Sequence, residues 1–108
     1  MNRRFGQMIR LKPDGAADYI RFHADVWPKV LSTIKNCNMQ NYSIYFKDNY
    51  LFAYFEYTGV DFEADMDKMA ADPETQRWWA LVKPLMEPIE SRGEGEFWAN
   101  MQEVFHLE

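Results

Sequence analysis

Residues 1–108 read as one α+β domain built in the order β-α-β-β-α-β. Three observations predict this class. Apolar side chains recur at helical spacing in two separate stretches, one on each side of the middle of the chain. Between those stretches, two runs rich in aromatic and branched residues flank the turn-like Lys47-Asp48-Asn49-Tyr50. Both ends of the chain mix apolar and polar residues at short period, as half-buried strands do.

The elements follow in order. Residues 4–11 form the first expected strand, and Lys12-Pro13-Asp14-Gly15 supplies turn chemistry, with Asp14 a candidate helix N-cap and Asp18 suited to the first turn. Across residues 16–34, Tyr19, His23, Val26, Trp27, Val30, Leu31 and Ile34 keep helical spacing. Pro28 falls inside that run, where an unbroken helix would lose about 3 kcal/mol or more, so a kink or a restart with Pro28 at N1 is expected. Residues 41–46 and 51–57 form a hairpin. Tyr42, Ile44 and Phe46 share one face of its first strand, and its second strand carries bulk on both faces, as in a sheet covered on both sides. A short helix over 61–71 is followed by Asp72-Pro73, an N-cap and N1 pair that opens a second helical piece carrying Trp78, Trp79, Leu81, Val82, Leu85 and Met86. Residues 91–96 are a polar connector, and 97–107 alternate as a last strand. This is the split βαβ, or ferredoxin-like, arrangement, with helices on one face of a four-stranded sheet. Nothing in 108 residues remains to cover the other face, so a symmetric homodimer packed through its sheets is expected.

Composition narrows the function. Twelve Lys and Arg stand against 17 Asp and Glu, a net charge of -5, which argues against nucleic acid and against strongly anionic ligands. The 8 Phe, 6 Tyr and 4 Trp exceed what a small core needs, so some of that flat surface should line an interface or a pocket for a neutral ligand. Cys37 is the one cysteine, which excludes an internal disulfide and C-x-x-C chemistry and fits a reducing compartment. It sits in a turn-like stretch between Asn36 and Asn38 and reads as a bystander. The basic start is not followed by an apolar stretch of signal-peptide length, and no run approaches the roughly 20 apolar residues of a bilayer span. A cytoplasmic location without membrane contact is expected. His23 and His106 are the only histidines, and no H-E-x-x-H, G-x-G-x-x-G or P-loop is present, so no metal or nucleotide site is expected.

Three features could carry chemistry. Tyr19, His23 and Trp27 lie one helical turn apart each, and histidine most easily gives and takes protons near neutral pH. A lone histidine on an aromatic face is nonetheless more often structural. Trp78 and Trp79, adjacent on a helix, point about 100° apart, so one should pack inward while the other stacks on an apolar ring face. Tyr42 would ordinarily be core, but its hydroxyl needs a polar partner that a ligand could supply. His106 reads as a solvated strand histidine.

Taken in order, these residues resemble the L-rhamnose mutarotase family. Members carry a Tyr, a His four positions later and then Trp-Pro, here Tyr19, His23 and Trp27-Pro28. An Asn-Tyr-x-Ile-Tyr strand follows, here beginning at Asn41, then a Trp-Trp pair, here Trp78-Trp79, and a Glu-Val-Phe segment, here Glu103-Val104-Phe105. The resemblance implies a dimeric α/β barrel that interconverts the α and β anomers of L-rhamnose without metal or organic cofactor. It places the proton donor on His23 and the sugar-binding positions on Tyr19, Tyr42, Trp78 and Trp79. Mutarotation fits such a residue, because opening a hemiacetal ring asks one group to protonate the ring oxygen while the anomeric hydroxyl loses a proton.

The pattern lapses over residues 87–98, where many members carry an Asn-Pro-Asp-Asn-Ser-Pro-like stretch. Loops near a site tune specificity, so L-fucose is the alternative sugar. Two other classes are compatible with the same fold, a haem-degrading or antibiotic-type monooxygenase with His23 as haem ligand, and a non-catalytic sugar-binding dimer.

Overall fold

A computed structural model describes residues 2–108. Its elements are β1 (Arg3–Leu11), α1 (Ala16–His23), α2 (Pro28–Asn36), β2 (Met39–Lys47), β3 (Tyr50–Tyr57), α3 (Phe62–Ala71), α4 (Pro73–Val82), a 3-10 turn at Lys83–Leu85, β4 (Met86–Glu87) and β5 (Ala99–Met101). The sheet runs β2-β3-β1-β4 with β5 also paired to β1, and every pairing is antiparallel. This is the ferredoxin-like α+β order, with each expected helix divided in two.

Prolines make both divisions. Pro28 starts α2 at N1 after an extended Trp27, and Pro73 starts α4 after Asp72. The carboxylates of Asp61 and Asp72 cap α3 and α4 by accepting from the amides of Ala64 and Thr75. Asp14 does not cap α1. Gly15 occupies that position with no side-chain cap, because the turn there is closed by the Gly15 amide donating to the Lys12 carbonyl. The second helical piece also stops earlier than its apolar spacing implies. Pro84 cannot donate to a further helical bond, so the chain tightens into the 3-10 turn, and Met86 lies on a strand.

The last strand differs most from expectation. Only Ala99–Met101 pairs with β1, and residues 102–108 extend beyond any element, with His106 exposed there. Leu11 and Arg10 face Met86 and Glu87, while Met8, Gln7 and Gly6 face Ala99, Asn100 and Met101. β4 and β5 are therefore two halves of one edge strand, interrupted by the excursion of residues 88–98.

Alternation assigns the faces. Leu51, Ala53, Phe55 and Tyr57 are buried toward the helices, and the intervening Tyr50, Phe52, Tyr54 and Glu56 are only half-buried. The helices cover one side, so the expectation of a sheet covered on both sides is not met within one chain. On β2, Asn41 and Tyr42 together oppose Phe55, between the pairs Gln40 with Glu56 and Ser43 with Tyr54. Asn41 adopts φ 50°, the left-handed region that asparagine tolerates, and this bulge shifts the helix-facing set from Met39 to Tyr42, Ile44 and Phe46. Asp48 and Asn49, both with positive φ, close the hairpin that follows.

Two apolar clusters fill the space under the helices. One joins Ile9, Leu11 and Leu51 to Tyr19, Val30, Trp78, Val82 and Met86. The other gathers Cys37, Met39, Phe55 and Met69, with Phe5 stacked at 4.8 Å on both Phe55 and Phe62. Cys37 lies in the turn that follows α2, as expected, and is fully buried there as part of the core.

Candidate active site

Between the helices and the sheet lies a cavity of about 70 Å³, walled by Tyr19, His23, Tyr42, Trp78, Trp79 and Trp98 among others. It adjoins a wider, more open hollow of about 420 Å³ that shares Tyr19, His23 and Ile44 with it. All five residues singled out from the sequence therefore meet at one place.

α1 sets the central pair. Four residues apart, Tyr19 and His23 stack with ring centroids 4.1 Å apart and planes 23° from parallel. The His23 Nδ1 lies 2.9 Å from the Tyr19 carbonyl oxygen. A carbonyl only accepts, so Nδ1 carries the proton and Nε2 is the nitrogen left for other partners. Trp27 does not extend this row as a third helical turn, because α1 ends at His23. Trp78 joins the two instead. Its ring takes the edges of His23 at 5.2 Å and Trp27 at 5.3 Å, and Phe22 adds a third edge contact at 6.5 Å.

The tryptophan pair divides as helical geometry requires. Trp78 is 5% exposed and belongs to the core, while Trp79 is only partly buried and has the Lys83 ammonium 4.2 Å from its ring centroid. The same ammonium lies 5.2 Å from the Phe97 ring, so α4 and the 88–98 excursion meet beside the cavity. Tyr42 reaches the cavity because of the bulge before it, and its ring rests 5.4 Å from Phe55.

Burial sets the protonation states. It lowers the His23 pKa below its ordinary 6.5, against a smaller opposing effect of the bond to Tyr19. It raises the Tyr19 phenol strongly, and pushes Tyr42, 38% of whose surface meets solvent, up to about 12. At neutral pH the site therefore holds a mostly neutral imidazole together with two phenols that keep their protons and can donate hydrogen bonds.

The sequence reading missed Lys83 and Trp98, which also wall the cavity. Trp98 carried a usable signal, a large apolar ring at the end of an otherwise polar, glycine-containing connector. Lys83 carried none, since a lysine near a helix end is ordinary on any surface.

Comparison with known proteins identifies the family. A family model described as L-rhamnose mutarotase matches residues 4–107. The chain is 33% identical to an L-rhamnose mutarotase of Lactiplantibacillus plantarum, over 97% of this chain and 98% of that protein. It is 30% identical to one of Oceanobacillus iheyensis, over 98% and 99%. In fold it is similar to the crystal structure of an L-rhamnose mutarotase from Formosa agariphila, with a TM-score of 0.75, 21% identity, and 98% and 99% of the two chains covered. By its sequence, and with a fold that agrees, the chain belongs to the L-rhamnose mutarotase family of isomerases.

Proposed function

We propose that this protein interconverts the α and β anomers of L-rhamnose, with His23 as its proton carrier and Tyr19, Tyr42, Trp78 and Trp79 around the sugar. The observation that carries the reading is the stacked Tyr19–His23 pair, which leaves Nε2 as the free nitrogen of a cavity-lining imidazole.

Opening the ring breaks the bond between the anomeric carbon and the ring oxygen, whose electron pair stays on that oxygen and takes a proton. The anomeric hydroxyl loses a proton and becomes the aldehyde. The neutral imidazole can take that proton at Nε2. Because burial disfavours its cation, it hands the proton on readily to the ring oxygen. Rotation of the aldehyde and the reverse transfers give the other anomer. Tyr19 and Tyr42 stay protonated and donate to sugar oxygens, while the indoles offer ring faces and N–H groups.

L-fucose is the second sugar considered, since loops beside a site tune specificity and Trp98 walls the cavity from the stretch that departs from the family pattern. We also propose a homodimer, supported by the open sheet face, where Tyr45 is 67% exposed, and by the exposed Val104, Phe105 and Leu107 of the terminal segment. Among the described residues no helix is long and apolar enough to cross a membrane. The lone buried cysteine supports a cytoplasmic location.

Saturation-transfer NMR on L-rhamnose, L-fucose, D-galactose and D-glucose tests the reaction and the sugar together. Accelerated exchange on L-rhamnose above the others is expected. No acceleration on any of them, with binding retained, would favour the non-catalytic sugar binder. A Soret shift on titration with haemin would favour the monooxygenase.

A further inference from the structure

The cavity that holds His23 has a wall of neutral groups with one exception. Phenols, an imidazole, indoles and apolar side chains make up the rest, and the ammonium of Lys83 stands among them. Among the described residues no carboxylate lines this cavity or the wider hollow beside it.

Rings hold the ammonium in place. Lys83 follows Trp79 by four residues, so its side chain folds back over that indole, 4.2 Å from the ring centroid, with the Phe97 ring 5.2 Å away. Other ring-bound cations of the chain are answered by carboxylates. Arg10, over Tyr50, lies 2.8 Å from Glu87, and Arg21, over Phe22, lies 3.1 Å from Asp18. Arg3, over Phe5 and Phe62, lines neither cavity. Lys83 makes no ion pair among the described residues, although acidic side chains outnumber basic ones in the sequence. Its charge is thus left for whatever enters the cavity.

A lone cation on such a wall discriminates by charge. L-Rhamnose is neutral as either anomer and as the open aldehyde. Negative charge gathers on its ring oxygen only while the bond to the anomeric carbon breaks or forms. A positive group there stabilises that passing state more than the neutral states on either side of it. We propose that Lys83 is a further catalytic residue, whose ammonium contacts the ring oxygen as that oxygen gains negative charge, and that Phe97 is a positioning residue that helps to hold it. The proton still passes from the anomeric hydroxyl to His23 Nε2 and on to the ring oxygen, where the electron pair of the broken bond stays. Lys83 gives up no proton and ends unchanged. The inference deepens the proposed mutarotase function and rests on that reading of the cavity.

The test measures kcat and KM for exchange of L-rhamnose anomers, with a melt on each sample. Lys83→Met removes the charge at similar length and should lower kcat about tenfold, with KM held within about twofold. The loss is set below the roughly 10²–10³ of an enclosed oxyanion donor because Lys83 is exposed and water screens it. Lys83→Arg keeps the charge and should recover most of the loss. Propylammonium added to Lys83→Ala replaces the atoms removed and should do the same. Phe97→Leu should lower kcat several-fold on its own and no further in the Lys83→Met background. Lys83→Gln stands in for Lys83→Met if that variant does not fold. An unchanged kcat, an effect on KM alone, or a loss that neither Arg nor propylammonium restores overturns the catalytic role of Lys83. Equal losses from Phe97→Leu in both backgrounds overturn the positioning role. If the wild type accelerates no exchange, the mutarotase reading itself fails and this inference falls with it. An active wild type beside an equally active Lys83→Met sinks the inference alone.

Discussion

The two apolar clusters are made of the same kinds of residue and end differently. Around Phe55, the rings close on each other, with Phe5 between Phe55 and Phe62 and the Tyr57 ring edge-on to Phe62 at 5.1 Å. Around Trp78 the rings also meet, and His23 touches Trp78 edge-on, but the stacked Tyr19–His23 pair also borders a hollow. Aromatic content alone therefore does not make a site. What distinguishes the second cluster is a place where bulk is missing and a titratable ring beside it.

Replacing that ring should give the largest effect. His23→Gln is expected to slow catalysed anomer exchange by about 10²–10⁴-fold, the range of a lost acid–base group, with the thermal midpoint little changed. Exchange by NMR and a melt on the same sample check both, and exchange at the wild-type rate would remove His23 from the mechanism.

The closed cluster should respond in the opposite way. Met69, 8% exposed, packs there and does not line the cavity. Met69→Ala should cost about 2–5 kcal/mol in urea unfolding while the folded fraction keeps its turnover. Turnover falling in step with stability would mean that the two regions are not separable.

The smallest effect expected is a pH dependence confined to the site. His23 titrates below 6.5 in the folded chain, so exchange should be level above that pH and fall on the acid side with a midpoint below it. Stability shifts with the same sign. The unfolded chain takes up the proton near 6.5 and the folded one only at lower pH, so stability declines as pH falls between those two values. A rate profile with an acid limb centred above 6.5 would overturn the neutral-imidazole assignment.

Much of this was legible from residue order. Pro28 and Pro73 announce the helix starts because their chemistry is local, and Asp72 announces its cap for the same reason. The spacing of Tyr19 and His23 fixes their contact within one helix. The division of the edge strand was not legible, since pairing of Glu87 with Arg10 and of Ala99 with Met8 joins residues far apart along the chain. The bulge was hidden similarly. Asn41 gives no sign of its conformation until Phe55 is set opposite both it and Tyr42. Trp27 misled because its helical spacing is real while the helix is not, and Trp78, not α1, brings it to His23.

The divided edge strand has a consequence for how such a protein can diverge. Both halves are fastened to β1 on their own, so the residues between them can lengthen, shorten or change without moving the sheet. Closing a loop costs only about 0.6 kcal/mol more for each doubling of its length, so the tolerance is wide. Tyr19 and His23 sit on a helix that such changes do not touch, while Trp98 travels with the loop. On the function proposed above, one wall of the cavity can be rewritten through this segment while the helix that carries Tyr19 and His23 is inherited unchanged.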